Sequence, residues 1–120
     1  MATILIVDDV QTDRELLGKV VSSAGHSPLY ASDGDQALSK AKGSAPALIF
    51  LDVVMPGTNG FQTCRTLKQD EQTRHIPIVL VTSKNTDSDK FWAKKQGADQ
   101  LIAKPFSPEA ITDALRRLVK

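Results

Sequence analysis

Four apolar runs, each closed by a polar residue of the kind that handles phosphate or a hard cation, constrain this chain more than any other feature. They are Ile4 to Val7 before Asp8 and Asp9, Ala47 to Leu51 before Asp52, Ile78 to Val81 before Thr82 and Ser83, and Leu101 to Ala103 before Lys104. Short continuous apolar runs of this kind read as parallel strands buried on both faces. In an open parallel sheet the carboxyl ends of the strands face one way, so groups just beyond them line a shared crevice. Three carboxylates, a hydroxyl and an ammonium are therefore predicted to meet in space.

Between the runs the apolar period becomes helical. Thr12 and Glu15 have capping-box spacing ahead of Leu16, Leu17, Val20, Val21 and Ala24, and Gly25 is placed to end that helix in a left-handed turn. A weaker strand over Pro28 to Ala31 leads through the turn Ser32-Asp33-Gly34 into a short helix carrying Ala37, Leu38 and Ala41. Met55 to Gly60 reads as a long turn, followed by Phe61, Cys64 and Leu67 at helical spacing. Thr86 and Asp89 mark the start of a fourth helix that Gly97 ends. The last helix has Ser107 as cap, Pro108 in its first position, and Ile111, Ala114, Leu115, Leu118 and Val119 on one face, with Arg116, Arg117 and Lys120 at its negative end. Five strand-helix units in this rhythm predict an α/β fold with a parallel sheet, right-handed crossovers and helices on both faces.

Length and charge narrow the function classes. A chain of 120 residues fits one domain, spanning 1–120 and reaching its end in the last helix, so no output domain is expected to follow. Fifteen basic and 14 acidic residues leave a net charge of +1, scattered rather than gathered into a basic stripe, which argues against nucleic-acid binding. No apolar stretch approaches the roughly 20 residues that cross a bilayer, and the first run is too short for a signal peptide. With a single cysteine, Cys64, read as a small buried apolar side chain, the expected setting is the reducing cytoplasm.

Asp8, Asp9 and Asp52, crowded together, repel, and at least one is predicted to have a raised pKa unless a cation intervenes. Magnesium suits the set, because it takes oxygen ligands from one or two carboxylates and keeps waters or a phosphate oxygen. His26 and His75 lack any paired spacing for zinc and read as surface residues. A carboxylate can also act as a nucleophile toward phosphorus when fixed cations neutralise the transferring oxygens. Asp52, alone after its strand, is the best candidate. Lys104 would supply fixed positive charge, Thr82 a hydroxyl donor, and Ser83 room for access. Singly, each has a plainer reading as a helix cap, a turn residue or a ladder residue; jointly, four strand ends carrying this chemistry do not.

Ile4-Leu5-Ile6-Val7-Asp8-Asp9, Leu51-Asp52-Val53-Val54-Met55-Pro56-Gly57, Val81-Thr82-Ser83 and Ala103-Lys104-Pro105-Phe106 together resemble a response-regulator receiver domain of the CheY-like kind, over the whole chain. The resemblance implies a flavodoxin-like three-layer sandwich whose five parallel strands run in the order 2-1-3-4-5 among five helices. It implies that Asp52 accepts a phosphoryl group from a sensor histidine kinase or phosphotransfer domain, that Asp9 binds magnesium directly and Asp8 through water, and that Lys104 contacts the phosphoryl group. A metal contact from the backbone carbonyl of Val54 and a cis Lys104-Pro105 bond are implied too. Across Met55 to Leu67 and Phe91 to Ala98 the chain is similar to PilH-type receivers of type IV pilus motility systems, which implies a downstream motility or signalling protein as target. The expected state is a monomer, with dimerisation on phosphorylation left open.

One departure bears on mechanism. Many receivers carry an aromatic three residues before the lysine, which rotates as the hydroxyl residue shifts; here the position is Leu101. Val54 and Lys84, two residues past Asp52 and Thr82, occupy positions that in the family tune acyl-phosphate lifetime. Phe91 and Trp92 are consecutive on one helix and cannot both face the core equally, so either both pack there imperfectly or Trp92 marks a partner surface with Lys94 and Lys95. The function read here is a phospho-acceptor switch, not an enzyme acting on external substrates. An aspartyl-phosphate phosphatase would place a second Asp two residues after the nucleophile, where this chain has Val10 and Val54, and no P-loop is present. A phosphate sink for a shared kinase, or an adaptor that is never phosphorylated, remain the other readings.

Overall fold

The computed structural model describes residues 1–119. The elements, in chain order, are β1 (Thr3–Val7), α1 (Gln11–Ser23), β2 (Ser27–Ala31), α2 (Gly34–Ser44), β3 (Leu48–Leu51), β4 (Val54–Met55), β5 (Thr58–Asn59), α3 (Gly60–Gln69), β6 (Ile78–Thr82), α4 (Asp87–Lys95), β7 (Gln100–Ala103) and α5 (Pro108–Leu118). Five strands form one parallel sheet in the order β2-β1-β3-β6-β7. Counting only sheet strands, this is the order 2-1-3-4-5.

Alternation along the strands divides the core into two. Leu5, Val7, Ile49, Leu51, Ile78 and Leu80 point to the side covered by α2, α3 and α4, where they meet Ala37, Ala41, Cys64, Leu67 and Ala93. Ile4, Ile6, Leu48, Phe50, Val79 and Val81 point to the other side, against Leu17 and Val21 of α1 and Ile111, Ala114 and Leu115 of α5. The central strands are thus buried on both faces, which is why they read as unbroken apolar runs. Pro28 is tolerated in β2 because that strand lies at the sheet edge, paired only with β1.

Helix termini follow local chemistry, with one exception. Asp33 caps α2 by accepting from the Gln36 N–H, Thr86 and Asp89 form a reciprocal capping box on α4, and Ser107 caps α5 ahead of Pro108. Gly25 and Gly97 both sit at φ 90°, where a side chain would be strained. The predicted box of Thr12 and Glu15 does not form: α1 starts at Gln11 with Val10 as its cap and no side-chain cap bond. Asp8 takes the Val10 N–H, Thr12 already lies inside the helix, and the Glu15 carboxylate accepts from the Gln11 side-chain amide. Leu16, read on the apolar face of α1, is exposed. Lys120, read at the negative end of α5, lies outside the described residues.

Three other expectations are revised. Val54–Met55 and Thr58–Asn59 pair as a small antiparallel hairpin around Gly57, φ 68°, where a long turn was expected, and Asn59 then caps α3. Phe91 and Trp92 are both exposed, at 61% and 52%. Ala93 is the buried residue of α4, and with about 100° between successive residues the two aromatics before it turn away from the core. His26, read as a plain surface residue, is half-buried, and its Nδ1 accepts the Ala2 N–H at 3.1 Å. Among the described residues, no helix is long and apolar enough to cross a membrane.

Candidate functional site

The sheet ladder carries the site residues to one edge. Beyond β1 the Asp8 N–H reaches the Ala31 carbonyl at 3.1 Å; beyond β3 the Asp52 N–H reaches the Val7 carbonyl at 2.9 Å; beyond β7 the Lys104 N–H reaches the Thr82 carbonyl at 3.0 Å. Each strand therefore extends its pairing by one residue, and that residue is the functional one. Because the main chain is held by the ladder, the side chains enter the crevice on a rigid frame.

Carboxylate oxygens of Asp8, Asp9 and Asp52 lie within 4.8 Å of one another. Asp8 and Asp52 are 3% and 6% exposed. Lys104 Nζ donates to all three of its neighbours: Asp8 Oδ2 at 2.7 Å, Asp13 Oδ2 at 2.9 Å and Asp52 Oδ2 at 3.1 Å. An ammonium has three N–H groups, and here each has a carboxylate acceptor. Burial alone would lower the Lys104 pKa; the three acids outweigh it and raise it. The lysine is therefore a permanent cation.

Asp8 has the raised pKa predicted for the cluster, although the ranking of causes differs from the prediction. Burial is the main cause, opposed by the bonds from Lys104 and the Val10 N–H, while repulsion from Asp52 is the smallest contribution. Asp9 is different from the other acids. It is half-exposed overall, yet its Oδ1 is a buried oxygen without a hydrogen-bond partner. A shielded carboxylate oxygen is costly when left unpaired, and an oxygen-seeking divalent cation is the partner such an atom fits. The donor set, all carboxylates, suits a hard cation and lacks the His and Cys ligands that zinc sites favour.

Asp52 Oδ1 accepts the Val54 N–H at 3.2 Å, so Val54 is tied to the acid through its own backbone. Thr82 is fully buried, with its hydroxyl accepting the Lys84 N–H at 3.2 Å, and it makes no hydrogen bond to Asp52. Ser83 is exposed beside it. The Lys104-Pro105 peptide bond is cis. Leu101 lies partly buried against the core on the α2–α4 side of the sheet.

Asp13 was not anticipated from the sequence. It lies in the first turn of α1, five residues after Asp8, and the helix folds back far enough to place it on Lys104. A faint signal existed: an acid in the first helical turn directly after Asp8-Asp9 has to return toward the same crevice. Arg14 adds a second contact there, its guanidinium donating to the Asp8 carbonyl at 2.6 Å. Gly60 is the other residue missed. A Cβ there would overlap the Asp52 carbonyl oxygen and Val53 Cα, so α3 starts flush against the backbone that carries Asp52.

Comparison with known proteins agrees with this geometry. Residues 4–116 match the model of the response regulator receiver domain family. The chain is 38% identical over 119 residues to protein PilH of Pseudomonas aeruginosa, covering 99% of this chain and 98% of the relative. It is 39% identical over 118 residues to the phosphate regulon transcriptional regulatory protein PhoB of the same species, of which it spans only 52%. Among solved structures, chemotaxis protein CheY4 of Vibrio cholerae superposes with a TM-score of 0.92 at 32% identity, over 98% of both chains. The chain belongs to the response regulator receiver domain family.

Proposed function

We propose that the chain is a single-domain response regulator in which Asp52 is the phospho-acceptor. A carboxylate oxygen of Asp52 bonds to the phosphorus of a phosphohistidine on a sensor kinase or phosphotransfer domain as the P–N bond breaks, and the departing imidazole takes the electron pair. Bound magnesium would neutralise negative charge on the acids and on the transferring oxygens. Asp9 and Asp52 would hold it directly with the Val54 carbonyl, and Asp8 through water. Lys104, already a cation at Asp52, would stay paired to the added phosphoryl oxygens, and the Thr82 hydroxyl would donate to one of them on leaving the Lys84 N–H. That exchange of partners links the site to the segment after β6, and a phosphoryl group favours whichever arrangement it binds better.

The observation that carries this reading is the meeting of Asp52, nearly buried, with two further acids and with Lys104 Nζ at 3.1 Å. Similarity to PilH over nearly its full length supports a stand-alone cytoplasmic regulator of pilus-based motility. Incubation with acetyl phosphate and magnesium, followed by intact mass measurement, tests it: the parent should gain one phosphoryl group, and Asp52→Asn or chelated parent should not. Equal labelling of Asp52→Asn removes the assignment.

A further inference from the structure

Between the β4–β5 hairpin and α4 runs a groove of about 900 Å³. Its floor is apolar: Met55 and Phe61, both nearly buried, with Val54 standing 51% exposed at the lip. Phe91 and Trp92 form its far wall and are the largest exposed apolar side chains of α4. Exposed aromatics this large, on a wall facing an apolar floor, carry a solvation cost that a partner's apolar side chains would relieve.

Charge around the groove is uneven. At the amino end of α4 stand two acids, Asp87 and Asp89, of which Asp89 caps the helix with Thr86 and lies 3.6 Å from Lys84. At the other end the cations are free. Lys94 and Lys95 lie in the last turn of α4, Arg65 shares a hollow with Trp92 and Lys95, and none of the three has a carboxylate partner among the described residues. Lys95 Nζ instead sits over the Phe91 ring, 5.4 Å from its centre. An aromatic wall that ends in unpaired cations fits one class of occupant.

We propose that this groove docks an acidic, amphipathic segment of a partner protein, its apolar residues lying on Phe91 and Trp92 and its carboxylates on Lys95 and Arg65. The two apolar anchors give affinity; the acids give orientation, because reversing the segment would set its carboxylates against Asp87 and Asp89. The proposal goes beyond phosphoryl acceptance and does not depend on it, as the groove is formed in the chain as it stands.

Trp92 is the single tryptophan of the chain, so occupancy has its own optical reporter. The full-length protein is used to select from a random peptide display library, and selected peptides are titrated against it while Trp92 fluorescence is read. Expected peptides carry net negative charge and at least two large apolar residues, shift the Trp92 emission, and bind Phe91→Ala at least about tenfold more weakly. Arg65→Glu with Lys95→Glu should cost about tenfold or more as well, and should recover binding to peptides whose acids are exchanged for lysine. Phe91, Arg65 and Lys95 are exposed, so these variants should melt with the parent. Selection of neutral or basic peptides, binding unchanged in Phe91→Ala, or no enrichment at all overturns the proposal. So does a concentration-dependent dimer that Phe91→Ala abolishes, which would make a second copy of the chain the occupant.

Discussion

Replacing Asp9 by Asn should stabilise the metal-free protein while removing most of its response to magnesium. Four carboxylates, Asp8, Asp9, Asp13 and Asp52, face one ammonium, Lys104, and Asp9 has no bond to it. With oxygens within 4.8 Å, repulsion between two such charges is roughly 3 kcal/mol at an effective dielectric of about 20. Solvent reaching half-exposed Asp9 screens most of this, leaving a gain of about 1 kcal/mol from the charge removed. For a chain of this length that is about 3–5 °C in Tm. The assay is urea and thermal unfolding in chelator and in magnesium. At tenfold excess over Kd the parent should gain about 1.4 kcal/mol from the ion, and Asp9→Asn less than half of that. If Asp9→Asn is the less stable protein in chelator, or gains as much from magnesium as the parent, the electrostatic account of the site is wrong.

Lys104→Met should destabilise by about 2–4 kcal/mol in chelator, because Asp8 and Asp52 are left nearly buried without a cation; an unchanged urea midpoint refutes this. Gly60→Ala should cost about 2–3 kcal/mol and slow labelling by acetyl phosphate, since the new methyl group collides with Asp52 and Val53 backbone; its kinetics and melting together show whether both occur. Cys64, fully buried with its thiol pushed up by that burial to about 12, should resist aromatic disulfide reagents until the protein unfolds. Its raised folded pKa contributes stability that is complete below the unfolded value near 9.0 and is lost as pH rises toward 12, so the advantage of the parent over Cys64→Ala should narrow across that window.

Much of the site was legible because strand burial and strand ends leave a mark in the linear order. Ile4 to Val7, Leu48 to Leu51 and Ile78 to Val81 contact helices on both faces, so every position is apolar, and the first polar residue signals where the sheet stops. Asp8, Asp52 and Thr82 were found by that rule, and Lys104 by the apolar run of β7, although that strand lies at the sheet edge and is only partly buried. The hairpin at Val54 to Asn59 left no such mark, as two-residue strands have no period. The capping box at Thr12 and Glu15 misled for a related reason: spacing shows which bonds could form, whereas Asp8, tethered to Val10, decided where α1 begins.

What the residue order determined by itself was the five strands of the main sheet and the helices, the parallel arrangement of those strands and the gathering of acid, hydroxyl and lysine at one sheet edge, since each depends on periodicity or on a neighbour close in the chain. Only the tertiary structure decided which carboxylates share Lys104, that Asp9 keeps an unpartnered oxygen, and that Phe91 and Trp92 stand outside facing Met55 and Phe61. Those outcomes turn on angles and on distances of a few ångströms between segments remote in sequence, and electrostatic pairing and exposure are sensitive to displacements of that size.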